Sequence, residues 1–500
     1  MKKILFACFL LSSFVAIAQK KGTTTTVTTA QKPKLVIGIV VDQMRWDYLY
    51  RFSNIFKANG GFKRLMNEGF SCDNTFIPYT PTVTAAGHTC VYTGSVPGIH
   101  GITGNAWYDK DLGRSVYCSE DKTVQGVGGK DEVIGQMSPR NMLTTTITDE
   151  LRISSNFKSK VIGVALKDRG SILPAGHSAN AAYWYDGKSG NFITSTYYMN
   201  ALPTWVNNFN DRKLVDSFYK LNWNILLPKQ QYELLATDDK KEYEGTPFGK
   251  DQVGFPYDLN KFVGKDYSKI STTPYGNSLT TEMAKAAMVA EQLGKGNATD
   301  FIAISYSSPD YIGHSFGPNS WEIVDNYARL DMELGSLLDF LDKQVGKGQY
   351  TVFLTADHAV AHVAGFMKEN KLPGGTVDEE GGMKVVNKKL KELFGVDSLI
   401  LSTYNYQLTL NQLAIKNNNL DRKKITSWII EYYAKLDGIA RVFELEELMA
   451  TPLNSTIKDR IANGYFPKRS GDIQLVYLPG YMDGKYTGTT HGLWNPYDSH

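Results

Sequence analysis

The clearest pattern in the sequence is a set of four continuous apolar runs that end in charged or imidazole side chains. Residues 35–41 lead to Asp42, residues 161–166 to Lys167-Asp168-Arg169, residues 301–306 to Asp310 and His314, and residues 350–356 to Asp357-His358. Continuous apolar runs, rather than alternating ones, are typical of strands that are buried on both faces of a parallel sheet. The pattern therefore predicts four central strands that carry polar groups at their carboxyl ends.

Amphipathic helices are predicted between these strands, over residues 278–293 and 321–345, and the second is ended by Gly346-Lys347-Gly348. Alternation of strands and helices is typical of a mostly parallel sheet flanked by helices. We therefore predict the α/β class. In an open α/β sheet, ligands bind at the carboxyl ends of the strands. The four polar strand endings are expected to converge on one functional site.

Two long segments interrupt the alternation. Residues 185–273 are rich in Tyr, Asn, Asp and Gly, and residues 363–469 mix a Gly-rich turn with helical stretches such as 384–394 and 422–436. We interpret both as cap insertions beside the site. A last strand is expected over residues 473–477. The catalytic core would then consist of residues 35–184, 274–362 and 470–500.

The amino terminus has the features of an export signal. Met1-Lys2-Lys3 is followed by an apolar run that ends at Ala18, which fits a cleavable secretory signal too short to span a membrane. Residues 19–34 are Thr-rich and are predicted to be a flexible lead-in. No later run approaches the roughly 20 apolar residues of a membrane-spanning helix. We therefore expect a secreted protein, located in the periplasm, without stable membrane insertion.

Charge and cysteine content narrow the function classes. The formal charge of the whole chain is +3, and removal of Lys2 and Lys3 brings it close to neutral. This balance gives no support for binding to nucleic acid or to a membrane surface. Beyond Cys8 there are three cysteines, Cys72, Cys90 and Cys118. They allow at most one internal disulfide, and their spacing matches no zinc knuckle.

Residues 81–105 contain the candidate nucleophile, Thr84. Pro81 and the β-branched Thr82-Val83 pair favour an extended entry, whereas Ala85-Ala86 favour a helix that begins at Thr84. The amino-terminal end of a helix favours an anion, either an alkoxide or a bound phosphoryl group. Threonine is also a common helix cap. Taken alone, Thr84 fits that capping role, and the nucleophile interpretation depends on the ligand set that follows.

Three carboxylates and three imidazoles lie beside the strand endings or near the end of the chain: Asp42, Asp310, Asp357, His314, His358 and His491. Zinc accepts both ligand types, and six groups together with Thr84 are enough for two ions. Asp310 and His314 are four residues apart, so one helical turn could direct both at one ion. Each residue alone also has an ordinary structural interpretation, but the six together indicate a metal site.

Two further histidines are expected to be structural. His88 follows the candidate nucleophile on its predicted helix, and His362 lies at the edge of the second predicted insertion. His358 and His362 have the spacing of an HExxH motif, but the glutamate that a zinc protease needs as its base is missing.

These motifs together resemble the alkaline phosphatase superfamily. The resemblance rests on the strand ending in Asp42, Thr84 with Gly87-His88, Pro97-Gly98-Ile99-His100-Gly101-Ile102 with Asn105, Asp310-Tyr311-Ile312-Gly313-His314, Thr355-Ala356-Asp357-His358 and Thr490-His491-Gly492. The Lys167-Asp168-Arg169 motif narrows the resemblance to the phosphate-irrepressible alkaline phosphatases of the PafA type. Members of this branch use a threonine nucleophile, and the branch is close to the nucleotide pyrophosphatase/phosphodiesterases.

The resemblance implies how the ligands are divided between two metal ions. One zinc ion would be held by Asp310, His314 and His491, and the other by Asp42, Asp357, His358 and the Thr84 oxygen. It also implies that Asn105, Lys167 and Arg169 contact the phosphoryl oxygens of a small phosphorylated substrate. Coordination to zinc would lower the pKa of Thr84, which attacks phosphorus and forms a phosphothreonine.

Two features depart from the family pattern. Ala359 stands where a glycine is frequent after the Asp-His pair. Family members also continue past the last histidine with another apolar strand, so the resemblance implies that the sequence printed here ends before that strand.

The choice between monoesters and diesters depends on two cations. Lys167 and Arg169 are two residues apart, so on an extended backbone both would point to one side. A monoester dianion carries more charge than a diester, and a pair of cations therefore favours monoesters. The predicted activity is hydrolysis of phosphate monoesters with release of inorganic phosphate.

Two alternatives remain open: a phosphodiesterase or nucleotide pyrophosphatase that uses the same site, and a catalytically silent metal-binding protein. A sulfatase would need a modifiable Cys or Ser in a C-x-P-x-R context, which does not occur around Thr84. A membrane-bound phosphoethanolamine transferase would need a transmembrane segment.

Overall fold

The computed structural model describes residues 32–130, 133–484 and 486–500. The predicted signal sequence and nearly all of the predicted lead-in lie outside these residues. The described strands are β1 (Leu35–Val41), β2 (Ala106–Asp109), β3 (Arg114–Tyr117), β4 (Gly126–Val127), β5 (Val161–Ala165), β6 (Ala181–Asp186), β7 (Asn191–Ser195), β8 (Asp300–Tyr306), β9 (Tyr350–Thr355), β10 (Gly375–Val377), β11 (Ile400–Ser402), β12 (Gln407–Leu410), β13 (Ile439–Glu444), β14 (Ile473–Tyr477) and β15 (Tyr481–Asp483).

The described α-helices are α1 (Tyr48–Arg51), α2 (Gly61–Glu68), α3 (Thr84–Thr93), α4 (Pro97–His100), α5 (Ile147–Ser154), α6 (Asp168–Ala175), α7 (Thr204–Asp211), α8 (Leu214–Tyr219), α9 (Lys229–Leu235), α10 (Tyr275–Ala290), α11 (Ser308–Phe316), α12 (Trp321–Leu341), α13 (Ala364–Glu369), α14 (Glu379–Phe394), α15 (Gln412–Asn417), α16 (Arg422–Tyr433), α17 (Ser455–Gly464) and α18 (Pro496–Ser499).

A seven-stranded sheet, in the order β4-β7-β6-β5-β8-β1-β9, forms the centre of the fold. The strands from β6 to β9 in that order are mutually parallel, whereas β7 runs antiparallel to both of its neighbours, β6 and β4. The four predicted strands are β5, β8, β1 and β9, and they are neighbours in this sheet. Val41 pairs with Tyr306, and Val40 pairs with Thr355, so these strands end at one edge. The α/β fold predicted from the apolar runs is confirmed.

The first predicted insertion packs into the same hydrophobic core as the central sheet. Trp223 and Tyr257 are completely buried in a cluster that also contains Ile304 and Leu337. The predicted boundary at residue 185 falls inside β6, and β7 extends the central sheet beyond it. Large aromatic residues of this segment therefore form part of the main core.

The second predicted insertion contains its own antiparallel sheet, in the order β11-β12-β14-β13. β14, which we predicted as the last strand of the core, pairs with β12 and β13 of this smaller sheet. Leu390, Ile429 and Leu475 belong to the separate hydrophobic cluster beneath it. The apolar pattern of β14 is compatible with either sheet, and only its pairing decides between them.

Within the described part of the chain, no helix is both long and apolar enough to cross a bilayer. Cys72, Cys90 and Cys118 all carry free thiols.

Candidate active site

The predicted site residues converge at the carboxyl edge of the central sheet. Asp42 directly follows β1, and Lys167 caps α6 just beyond β5. Asp310 and His314 lie on α11, which begins two residues after β8. Asp357-His358 follow β9. These strands are adjacent and parallel, so the topology alone brings their endings together.

Thr84 is the first residue of α3, as the local sequence predicts. The cap position is occupied by Val83, in an extended conformation, and α3 has no cap hydrogen bond from that side chain. The Ala85 N–H group instead donates to Oδ1 of Asn105 over 2.9 Å. The Thr84 hydroxyl is therefore directed elsewhere: its Oγ1 lies 3.4 Å from Nζ of Lys167 and 3.5 Å from Nε2 of His358.

Asp310, His314 and His491 form one triad whose possible ligand atoms lie within 4.8 Å of one another. Nε2 of His314 is 3.1 Å from Oδ1 of Asp310, and Nε2 of His491 is 3.5 Å from the same oxygen. Nδ1 of His314 donates to the carbonyl oxygen of Thr489 over 2.7 Å, and Nδ1 of His491 donates to that of Thr82, also over 2.7 Å. Both rings thus direct Nε2 toward the same carboxylate.

Asp42, Asp357 and His358 form the second triad, with the same spread of ligand atoms. Nε2 of His358 is 3.5 Å from Oδ1 of Asp42 and 3.4 Å from Oδ2 of Asp357. Its Nδ1 donates to the carbonyl oxygen of Ala359 over 2.9 Å. The backbone carbonyl therefore fixes the tautomer that leaves Nε2 free to act as a ligand.

The donor set fits two divalent cations. Among the described residues, Oδ1 of Asp42 and Oδ2 of Asp357 are buried and accept no hydrogen bond. Burial lowers the pKa of His358 to about 3 and also lowers the pKa of His491, so both imidazoles are neutral. Burial, and then the Asp357 carboxylate, raise the pKa of Asp42 well above its ordinary value. Such convergence of lone pairs is unfavourable unless a cation lies between them.

Lys167 connects the two triads. Its Nζ donates to Oδ2 of Asp42 over 2.7 Å and to Oδ2 of Asp310 over 2.5 Å. Burial would lower the pKa of Lys167, but these carboxylates, Asp310 first, raise it above its ordinary value. The ammonium also lies 5.0 Å from the centre of the Tyr311 ring. Lys167 is therefore charged and held at the middle of the site.

Arg169 departs from the sequence prediction. We expected Lys167 and Arg169 to share one side of an extended backbone, but α6 begins at Asp168 and places Arg169 in its first turn. Helical geometry separates the directions of the two side chains. Nη1 of Arg169 donates to the Tyr117 hydroxyl over 3.0 Å, and that hydroxyl donates to Oδ1 of Asp168 over 2.6 Å. Tyr117 thus positions Arg169, and no sequence signal had indicated it.

Gln43 is a second residue that the sequence analysis missed. Its backbone N–H group donates to Oδ1 of Asp357 over 3.1 Å, and its Nε2 donates to Oδ1 of Asp310. Its φ of 66° lies in the left-handed region, which few non-glycine residues occupy. Its position directly after Asp42 was the only feature of the sequence that pointed to a role in the site.

His88, which we expected to be structural, packs directly behind the site. Nδ1 of His88 lies 2.9 Å from the Thr84 carbonyl oxygen and 3.1 Å from Oδ2 of Asp357, and Nε2 lies 2.8 Å from Oγ of Ser305. The ring therefore links α3 to a metal-ligand candidate. His362 contacts Asn319 and belongs to neither triad.

Comparisons with known proteins match nearly the whole chain. The sequence profile of the type I phosphodiesterase / nucleotide pyrophosphatase family matches residues 36–498. Alkaline phosphatase PhoV of Synechococcus elongatus is 49% identical over 481 residues, which cover 94% of this chain and 85% of PhoV. Alkaline phosphatase PafA of Elizabethkingia meningoseptica is 48% identical over 471 residues, which cover 94% of this chain and 86% of PafA.

The fold agrees with the sequence comparison. The crystal structure of wild-type PafA matches with a TM-score of 0.91 and 47% identity, and the match covers 94% of this chain and 90% of that chain. The resemblance deduced from the motifs is thereby confirmed. The chain belongs to the type I phosphodiesterase / nucleotide pyrophosphatase family of the alkaline phosphatase superfamily, and within it to the PafA-type alkaline phosphatases.

Proposed function

We propose that this protein hydrolyses phosphate monoesters through a phosphothreonine formed on Thr84, with two zinc ions held by the two triads. The observation that carries the proposal is the position of Thr84 Oγ1. This atom lies 3.5 Å from Nε2 of His358 in one triad and 3.4 Å from Nζ of Lys167, which itself contacts Asp310 in the other triad. A nucleophile beside two cation sites is the arrangement of two-metal phosphoryl-transfer sites.

The ligands favour zinc over magnesium and calcium. Each triad combines carboxylate oxygens with imidazole nitrogens, whereas magnesium and calcium prefer oxygen ligands alone. Two zinc ions held by these triads would supply positive charge that favours the ionised form of the attacking hydroxyl and stabilises the departing oxygen of the substrate. Attack on phosphorus and binding of the phosphoryl oxygens are carried out by the protein's own side chains.

Thr84 supplies the attacking oxygen from the start of α3, where the backbone N–H groups and the helix dipole stabilise negative charge. With Asp42 and Asp310 engaged as ligands, the Lys167 ammonium is available to a phosphoryl oxygen. Asn105 uses Oδ1 to accept from Ala85, so its Nδ2 group can donate to the phosphoryl group. Arg169 supplies a second cation from the position at which Tyr117 holds it.

Two cations and one amide match the charge of a monoester dianion better than that of a diester. The names of the relatives PhoV and PafA, both alkaline phosphatases, support the same choice. The description of the matching family supports the alternative, a phosphodiesterase or nucleotide pyrophosphatase that uses the same residues.

The deciding experiment compares kcat/KM for an aryl phosphate monoester and a bis-aryl phosphate diester at alkaline pH. Chelated protein is reconstituted with zinc in one series and with magnesium in the other. We expect a strong monoester preference, and activity that returns with zinc. A diester preference would assign the protein to the phosphodiesterase alternative, and recovery with magnesium alone would contradict the zinc assignment.

Export to the periplasm is part of the same proposal and rests on the basic and apolar amino terminus. Amino-terminal sequencing of the protein recovered from a periplasmic fraction should begin at Gln19. A mature protein that retains Met1 would contradict cleavage after Ala18.

A further inference from the structure

A short segment of the second predicted insertion contacts two residues of the candidate active site. The segment, Tyr404–Tyr406, lies between β11 and β12 and has an unusual backbone conformation. Asn405 has φ of 63° and ψ of 34°, and Tyr406 has φ of 61°. Left-handed conformations are uncommon for residues other than glycine, and two in succession persist only where the surrounding contacts hold them. The contacts of this segment therefore indicate its role.

The Asn405 amide packs against the residues on both sides of Asn105. Nδ2 of Asn405 donates to the carbonyl oxygen of Ala106 over 3.1 Å. A Cβ atom at Gly104 would lie 2.3 Å from Oδ1 of Asn405, so the Gly104 backbone is in direct contact with the same amide. Between these contacts, Oδ1 of Asn105 accepts from the Ala85 N–H group, which leaves its Nδ2 for a phosphoryl oxygen. Asn405 thus fixes the backbone that carries Asn105.

Tyr406 packs against the first triad. Its hydroxyl donates to the carbonyl oxygen of His491 over 2.8 Å. A Cβ atom at Gly492 would lie 2.8 Å from a ring carbon of Tyr406, so the ring also covers the next residue. The Tyr406 carbonyl oxygen accepts from Nε2 of Gln474 over 3.0 Å, and its ring meets Tyr477 edge-on at 5.2 Å. Tyr406 is therefore anchored on β14 and holds the backbone of a metal-ligand candidate.

We propose that Asn405 and Tyr406 are positioning residues for the reaction. Asn405 holds Asn105 in place for the phosphoryl group, and Tyr406 holds His491 in place for the first metal ion. The second predicted insertion thereby supports the active site as well as its own hydrophobic core. This inference rests on the proposed function, since it concerns the support of the same site.

The two contacts are expected to affect different ligands. Asn105 belongs to neither triad, so loss of the Asn405 amide should weaken phosphate binding and leave metal binding unchanged. His491 belongs to the first triad, so loss of the Tyr406 hydroxyl should weaken metal binding there. A general loosening of the fold would lower both affinities together. The separation of the two effects therefore distinguishes positioning from a merely structural role.

Asn405→Gly removes the amide and still accepts the left-handed backbone, so the variant should fold. Calorimetric titration of the zinc-loaded protein with inorganic phosphate should show a Kd about tenfold higher than that of the wild type, at unchanged zinc content. Asn419→Gly is the matched control, because Asn419 lies in the same insertion, has φ of 50° and is exposed. The control should change neither quantity.

A double-mutant cycle tests whether Asn405 acts through Asn105. Asn405→Gly should lower kcat/KM for an aryl phosphate about tenfold in the wild-type background. In the Asn105→Ala background the same substitution should lower it by less than about twofold, because the group that Asn405 positions is already missing.

Tyr406→Phe removes the hydroxyl and keeps the ring. Competition with a chelator should show that one of two zinc ions is bound about tenfold more weakly, while the affinity for phosphate at saturating zinc stays within about twofold. Tyr404→Phe is the matched control, because it removes a hydroxyl from the same segment at a residue that is 39% exposed. Zinc and phosphate affinity should both be unchanged in the control.

Parallel losses of zinc and phosphate affinity in both variants, or no loss in either, would overturn the inference. A full tenfold effect of Asn405→Gly in the Asn105→Ala background would also overturn it. The proposed function survives each of these results if the wild-type protein releases phosphate from the aryl phosphate. Wild-type protein that releases none with zinc supplied would overturn the proposed function, whereas the zinc and phosphate titrations measure binding without turnover.

Discussion

The side-chain amide of Gln43 donates a 2.6 Å hydrogen bond to Oδ1 of Asp310, the oxygen that both histidines of the first triad approach. The backbone N–H group of Gln43 donates to Asp357 of the second triad. One residue, held at a positive φ directly after Asp42, thus orients a carboxylate in each triad. Loss of a group that orients a metal ligand typically lowers metal affinity or activity by about 10–100-fold.

Gln43→Asn tests this role, because asparagine tolerates the left-handed conformation but its amide is one methylene shorter. We expect zinc content, measured by plasma mass spectrometry, to fall from two ions toward one, and kcat/KM for an aryl phosphate to fall about tenfold or more. The matched control is Gln230→Asn, at an exposed position on α9. Unchanged zinc content in Gln43→Asn would show that the amide does not support the first triad.

Thr84→Ala should abolish turnover while the zinc content stays near two. The expected loss in kcat is about a thousandfold or more, because the attacking oxygen is removed. The two triads retain all six carboxylate and imidazole ligands in this variant. Thr84→Ser keeps a hydroxyl at the start of α3 and should retain measurable activity. Loss of zinc together with activity in Thr84→Ala would make Thr84 a structural residue instead.

Lys167→Ala should reduce monoester hydrolysis about a hundredfold and diester hydrolysis by a smaller factor. The reason is that a monoester has one more charged oxygen for the ammonium to stabilise. Lys158→Ala removes an exposed lysine just before β5 and serves as the control. Equal losses for both ester classes would remove the basis for the monoester assignment. They would show that Lys167 acts through its hydrogen bonds to Asp42 and Asp310.

Gly87→Ala should displace the helix that carries Thr84. A Cβ atom at Gly87 would lie 2.3 Å from the carbonyl oxygen of Asp357 and 2.7 Å from its Cβ, which is closer than packing permits. We expect the free energy of unfolding to fall by about 1–3 kcal/mol, and zinc content and kcat to fall with it. Urea denaturation and metal analysis provide the measurements.

Gly296→Ala is the control for that variant, because the nearest heavy atom to its Cβ would be 4.0 Å away. Full activity and zinc content in Gly87→Ala would show that α3 can shift without disturbing Asp357.

The positions of the strands and of most ligand candidates could be predicted from the sequence because they depend on local patterns. The apolar runs before Asp42 and before Asp357-His358 form strands over nearly the predicted residues. The helix that begins at Thr84 follows from its own neighbours. Parallel strands then bring their carboxyl ends together, so distant residues could be assigned to one site without any contact information.

Other features were decided only by the tertiary structure, because they depend on contacts between segments that are far apart in the chain. Tyr117, on the β3 hairpin, orients Arg169 through a hydroxyl contact that no motif signals. The strand β14 has the same apolar pattern whether it joins the large or the small sheet.

A cavity of about 470 Å³ beside His491 shows the same division. Glu379 and Ser402 carry ordinary sequence signals of a helix start and a strand end, and only packing brings them beside His491. The sequence by itself therefore determined the fold class and the metal-ligand candidates, since local periodicity and the residues at strand endings encode them, and it indicated the family through the resemblance of its motifs. The tertiary structure alone decided which further residues orient those ligands, since side-chain contacts across the fold have no periodic signature.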